Sequence, residues 1–230
     1  MNHVWTHQPE DRKGAIGAFN PEVWRKVKPF RGADAARLRY LQADEARRLL
    51  NACPADFRNL VRGALAAGCR YGELCRLEVR DYSPDAGALL IRQSKSGKPR
   101  HVPLDDDAVA FFAAITAGRP SDERMFCRAD GSAWGKSHQA RPLIDACRAA
   151  RIDPPANFHC LRHTWASHRV MRGAALLVVA QVLGHSDTRM VEKHYGHLAP
   201  SYVRDAVRAT SMDLGAPDVG NVTPLRPAAG

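Results

Sequence analysis

Four side chains in the C-terminal half have the types and spacing that suit chemistry on an anion. His159 and Arg162 stand three residues apart, His185 follows a long apolar run, and Tyr195 lies ten residues further on, between His194 and Gly196. Read as a helix at about 100° per residue, the segment from His159 gathers Cys160, Leu161, Thr164, Trp165, His168 and Met171 into a stripe about 140° wide, suited to a core. His159, Arg162 and Ala166 fall on the opposite side. One turn apart, His159 and Arg162 would hold their Cβ atoms about 5–6 Å from each other, a grip for an anion. The next helix, expected over Ala175–Leu183, is almost wholly apolar and is expected to be buried on most sides. Gly184 suits its C-terminus, since it adopts positive φ without penalty. His185 would then sit at the negative end of the helix dipole, which favours its protonated form.

The elements that must position these groups come earlier. Apolar spacing predicts a helix from near Asp44 to Cys53, with Ala46, Leu49, Leu50 and Cys53 on one side. A second is predicted from Pro54 through Phe57, Leu60, Val61, Ala64 and Leu65, ending at Gly68. Arg70 follows that end, with Glu73 three residues on. Alone, this spacing fits a surface ion pair; the functional reading is an Arg that reaches a phosphate while a carboxylate orients it. From 77 to 104 the period changes. LEVRDY, ALLIRQ and RHVPL, separated by SPDAG and SKSGK, read as a three-stranded antiparallel meander. Arg92, Lys95, Lys98 and Arg100 cluster around its second turn with no acid among them, fitting either a solvated turn or a basic hairpin tip that contacts the DNA backbone. Helical patterning returns over Asp105–Ala117 (Val109, Phe112, Ala113, Thr116) and Trp134–Ala150 (Leu143, Ile144, Cys147), and again over Ser201–Met212. The fold class expected is mainly α with a small three-stranded antiparallel sheet, an α+β chain.

Composition limits the function classes. The 230 residues are 45% hydrophobic, enough for a sizeable core, and carry a net charge of +10. That balance points to a polyanionic partner, most simply nucleic acid. The six cysteines form no CxxC pair, so neither a zinc ribbon nor a disulfide framework is indicated, and reduced thiols in a cytoplasmic protein fit best. The N-terminus lacks the apolar stretch of a signal peptide, and no run is long enough to span a bilayer. Residues 1–39 read as a linker or arm, 40–212 as the main domain and 213–230 as a Gly/Pro-rich, disordered tail.

In chain order, RYGEL, SKSGKPRHVPL, HCLRHTWAS, LGHSD and the YGHL around Tyr195 resemble the tyrosine recombinases, in their phage-integrase branch. The resemblance covers about residues 40–212, a catalytic domain, and five motifs in one order make it specific. It implies a site-specific recombinase that cleaves and rejoins double-stranded DNA. Tyr195 would be the nucleophile, forming a 3′-phosphotyrosine and freeing a 5′-hydroxyl. Arg70 and Arg162 would hold the non-bridging oxygens, His159 and His185 would add hydrogen bonds, and Lys95 would protonate the leaving 5′-oxygen. Glu73 would support the first Arg, and His163 would have a secondary part. Arg92, Lys98 and Arg100 would bind DNA. No metal, ATP or other cofactor is implied, and the expected assembly is a homo-tetramer on two duplexes. The family's usual core-binding domain is not found ahead of residue 40.

The chemistry is consistent with that resemblance. A phenol of pKa near 10 is only about 0.1% ionised at pH 7, a handicap of about 4 kcal/mol, which nearby cations are expected to reduce. Each well-placed donor stabilises a phosphorane's extra charge by about 3 kcal/mol. Tyr40, Tyr71, Tyr82 and Tyr202 read instead as core or amphipathic-edge residues. Three rivals stay open: a histidine-based zinc protein, a non-catalytic DNA-binding module, and a type IB topoisomerase-like enzyme.

Overall fold

The computed structural model describes residues 39–93, 99–199, 207–208 and 210–211. The chain divides into Met1–Arg37 and Leu38–Gly230. The first unit lies outside the described residues, and so do the expected linker up to residue 38, the expected tail and most of the expected Ser201–Met212 helix, of which Val207 and Arg208 are helical.

Helix α1 (Ala43–Ala52) starts after Gln42, whose backbone N–H donates to the Glu45 carboxylate at 2.8 Å. Helix α2 (Ala55–Ala67) follows Pro54 and buries Phe57, Leu60, Val61, Ala64 and Ala67. It ends at Gly68, with φ +63°; a Cβ there would come within 2.7 Å of the Trp165 ring. Glycine is therefore required twice, for the left-handed turn and for the close approach of an indole. Two residues later Arg70 caps the single turn α3 (Tyr71–Leu74).

The sheet is an antiparallel meander in the order β1 (Tyr82–Ser83), β2 (Ala88–Ile91), β3 (Arg100–Pro103), with Leu89 opposite both Tyr82 and Val102. The stretch expected to open the first strand is instead a 3₁₀ turn, Val79–Asp81, capped by Asp81 accepting the Glu78 N–H at 2.9 Å. Helix α4 (Asp106–Thr116) is capped by the Asp105 carboxylate. It buries Ala108, Phe111 and Phe112; of the expected face Phe112 is buried, Val109 and Thr116 are half-buried and Ala113 is exposed. Helix α5 spans only Ala140–Ala149; of residues 134–139, expected to be helical, none is, and 136–139 form turns, with Ser137 at φ +66°.

Helix α6 (Phe158–Met171) is the central element. Asn157 caps it by accepting the Cys160 N–H at 2.9 Å. The expectation of a core stripe with a free opposite side is corrected in part: His159 is exposed as expected, but Arg162 and Ala166 are not, and Met171, placed in the stripe, is 39% exposed. Arg162 is 3% exposed and Ala166 0%, because α6 packs against α2 on one side and against helices α7 (Leu176–Leu183) and α8 (Arg189–Tyr195) on another. A helix covered from two directions buries residues on more than one face regardless of amphipathicity. The converse holds for α7. Val179, Ala180, Val182 and Leu183 are buried, but Leu177 and Val178 are 57% and 50% exposed. A 3₁₀ turn, Gly196–Leu198, continues directly from α8.

Candidate active site

A cleft of about 530 Å³ is lined by Arg70, His159, Arg162, His163, His185 and Tyr195, together with Asp187, Met190 and His194. Segments up to 125 positions apart in sequence thus converge: the α2–α3 corner brings Arg70, α6 brings His159, Arg162 and His163, the turn after α7 brings His185, and the end of α8 brings Tyr195.

Arg70 is oriented from behind. Glu73 accepts its backbone N–H at 2.9 Å and its guanidinium at 3.1 Å, so the pair forms a cap and an ion pair at once. The carboxylate is buried, with its side chain 2% exposed. Burial pushes the Glu73 pKa up, but the hydrogen bonds from Arg100 and Arg70 outweigh that and hold it below the ordinary carboxylate range.

Arg162 crosses the interior. Its guanidinium donates to the Gly68 carbonyl at 2.9 Å and to the Leu183 carbonyl, and lies 3.2 Å from His185 Nε2. Two helix ends, those of α2 and α7, thereby have carbonyls satisfied by one cation. Burial and the neighbouring Arg70 lower the Arg162 pKa to about 10, which leaves it charged at neutral pH.

The expectation of a protonated His185 is corrected. Gly184 does terminate α7 with φ +71°, so His185 does follow the helix end. Burial, then Arg162 and Arg70, push its pKa below the ordinary 6.5. Desolvation first, and then the Arg162 guanidinium 3.2 Å away, outweigh the half charge of a helix end that Arg162 already engages. Neutral His185 accepts from Arg162 through Nε2, leaving Nδ1 as its N–H, buried and without a protein partner. His159 is likewise pushed down, by desolvation on the cleft wall and then by Arg162 and Arg70.

Tyr195 closes α8 rather than occupying a loop, and is 3% exposed. Its hydroxyl lies 2.6 Å from His163 Nδ1. Burial raises the phenol to about 12 despite the pull of Arg162, so the expected net help from cations is reversed in this state. Burial, and then His159, His194 and Arg162, lower His163 to about 4. With both groups neutral, the phenol donates to Nδ1 when the imidazole carries its proton on Nε2. The residue read from sequence as secondary is the one in contact with Tyr195. Its neighbour Arg162 and the four-residue step from His159 were the available signals, and neither reveals which ring meets the phenol.

Of the basic hairpin residues, Arg92 and Arg100 are among those described. Lys95 and Lys98 lie outside the described residues. Arg92 is paired with Asp81 at 2.6 Å and with Glu78 at 2.9 Å. Arg100 is paired with Glu73, with its side chain 9% exposed. The acids missing from the local sequence are supplied by the 3₁₀ turn and by α3. Among the described residues no three His, Cys, Asp or Glu side chains gather as metal ligands, and no helix is long and apolar enough to cross a membrane.

Comparison with known proteins supplies an independent line. The chain matches the model of the phage integrase family over residues 39–201. It is 29% identical over 213 residues to the integrase of Escherichia phage 186, covering 88% of this chain and 56% of that protein. It is 30% identical over 216 residues to the tyrosine recombinase XerD of Caulobacter vibrioides, covering 84% and 70%. The chain spans about half the length of several curated relatives, including 48% of the phage P2 integrase. The catalytic domain of bacteriophage HP1 integrase superposes with a TM-score of 0.60 at 28% identity, covering 78% of this chain and 99% of that one. XerA recombinase gives 0.58 at 25% identity, covering 74% and 64%.

Proposed function

The chain belongs to the phage integrase family of tyrosine recombinases, and on that premise we propose that it cleaves and rejoins double-stranded DNA through a phosphotyrosine at Tyr195. The observation that carries this reading is the phenol held 2.6 Å from a neutral imidazole beside a cleft lined by two guanidiniums and three further histidines.

In this mechanism a phosphodiester enters the cleft and its non-bridging oxygens are held by Arg70 and Arg162. His159 and His185, both neutral, donate N–H groups rather than adding charge. The Tyr195 oxygen attacks phosphorus, and its proton passes to His163 Nδ1. In the DNA-free state the two pKa values, about 12 and about 4, oppose that transfer. The transfer therefore accompanies P–O bond formation, as the phenol oxygen becomes acidic, and the phosphate's negative charge stabilises the imidazolium. The P–O5′ bond breaks and Lys95 protonates the departing oxygen. In reverse, a 5′-hydroxyl attacks the phosphotyrosine and returns its proton to Lys95, while the phenolate leaves and regains its proton from His163. The covalent intermediate conserves bond energy, so rejoining needs no ATP. Donors aimed at the phosphorane contribute about 3 kcal/mol each, the part a metal plays elsewhere. Lys98 serves as a backbone contact, and the active assembly is a homo-oligomer on DNA.

The test is covalent capture from a random pool of nicked duplexes, in EDTA, followed by denaturing electrophoresis. Wild type forms an SDS-stable adduct and Tyr195→Phe forms none. An adduct that survives in Tyr195→Phe, or that needs a divalent metal, would overturn the reading. DNA binding with no adduct from any sequence would favour the non-catalytic module, and relaxation of supercoils without site preference the topoisomerase-like alternative.

A further inference from the structure

We propose that Arg100 is a positioning residue of this site, holding both the carboxylate behind Arg70 and the helix end that carries His185. The inference rests on the strand-cleavage reading and gives Arg100 a different task from the DNA contact expected of it.

All three guanidinium nitrogens are engaged inside the protein. NH1 donates to Glu73 Oε1 at 3.0 Å, NH2 to Glu73 Oε2 at 2.8 Å, and Nε to the Val182 carbonyl at 2.8 Å. Glu73 in turn accepts from the backbone and side chain of Arg70. One side chain from β3 therefore joins α3 to the last turn of α7. The fit is close at Gly184, where a Cβ would stand 3.1 Å from Arg100 Cδ and 3.2 Å from Nε. His185 is the next residue and meets Arg162.

Charge explains why a second arginine is needed. With one carboxylate and one guanidinium, Arg70 would be neutralised by its own support. With Arg100 sharing Glu73, the trio keeps a net charge of +1, and Arg70 stays oriented without losing its attraction for phosphate. A side chain this enclosed has little N–H surface left for DNA. Lysine would not replace it, because one ammonium cannot form a two-pronged bond to a carboxylate and also reach a carbonyl on another segment.

The test uses the full chain with Arg100→Lys, Arg100→Met, Glu73→Gln and the Glu73→Gln/Arg100→Met double variant. At saturating DNA, single-turnover adduct formation falls about 100-fold in Arg100→Lys, the scale of a small misplacement. Affinity for a random duplex and its salt dependence are unchanged. The double variant is no slower than Glu73→Gln, since both changes break one unit. If instead the rate at saturation holds while affinity drops and the salt slope falls by about 0.9, Arg100 is a phosphate contact and the proposal is overturned. Should Arg100→Met fail to fold, Arg100→Lys decides. Absence of any adduct in wild type would refute strand cleavage separately. Histidine NMR then decides the positioning role: the His185 ring signal shifts in Arg100→Lys while that of His138, outside the cleft lining, stays. An unmoved His185 signal sinks the proposal.

Discussion

The Tyr195 hydroxyl lies 2.6 Å from His163 Nδ1, and the two rings stand 6.0 Å apart at 47°. A phenol at the end of one helix is thus hydrogen-bonded to an imidazole in the middle of another, each group held in its neutral form by burial. That bond ties α8 to α6 as well as preparing a proton transfer.

Replacing His163 by Gln separates those two tasks. The amide keeps a polar partner near the phenol but is not a base. Single-turnover adduct formation is expected to fall by about 10²–10⁴, the usual contribution of general base catalysis, with DNA affinity retained. Tyr195→Phe is expected to cost only about 1 kcal/mol in denaturant unfolding, one neutral hydrogen bond, while abolishing the adduct. A His163→Gln variant that reacts at the wild-type rate would remove the imidazole from the mechanism.

Stability should depend on pH through the same residue. His163 titrates near 4 in the fold and near its ordinary 6.5 when unfolded. Between those values the unfolded chain binds the extra proton. The contribution is therefore complete above about 6.5 and is lost progressively as pH falls through about 4. Depressed His159 and His185 act in the same direction. Urea unfolding at stepped pH should show this loss, and the slope should flatten in His163→Gln.

Arg162 is expected to be structural as well as catalytic. Its two carbonyl bonds lie in the interior, and a charged hydrogen bond contributes about 1.5–3 kcal/mol. Arg162→Ala should therefore lose about 3 kcal/mol or more of unfolding free energy, besides activity. A melting temperature equal to that of wild type would show that the Gly68 and Leu183 carbonyls do not depend on it.

Glu73→Gln leaves Arg100 enclosed with no full counter-charge. Breaking a buried pair from one side costs about 3–5 kcal/mol, so a drop of that size is expected in urea unfolding. A drop within experimental scatter would show that water, rather than Glu73, satisfies Arg100.

Gly184→Ala is expected to destabilise by about 1–2 kcal/mol from the left-handed backbone alone, with added crowding against Arg100. The measurement is the unfolding midpoint of the variant against a solvent-facing control such as Leu177→Ala on the same helix.

Much of this was legible in one dimension. Gly68 and Gly184 mark helix ends because only glycine enters the left-handed region freely, and both do so here. The short runs ALLIRQ and RHVPL, bounded by the turn-forming SPDAG and SKSGK, identified the meander, and the two strands do pair antiparallel. The order and wording of five motifs identified the family. Local periodicity failed where burial came from distant chain. It assigned Arg162 to a free side of α6, and it read α7 as enclosed when Leu177 and Val178 face outward.

The sequence by itself determined which residue types are available and the local turns that deliver them, because backbone sterics and side-chain period act within a few residues. Only the tertiary structure decided their partners and charge states. Glu73 chose two arginines, His163 rather than His159 met the phenol, and His185 became neutral instead of cationic. Desolvation and Coulomb interaction depend on distance through space, and the groups that set them here come from segments far apart in the chain.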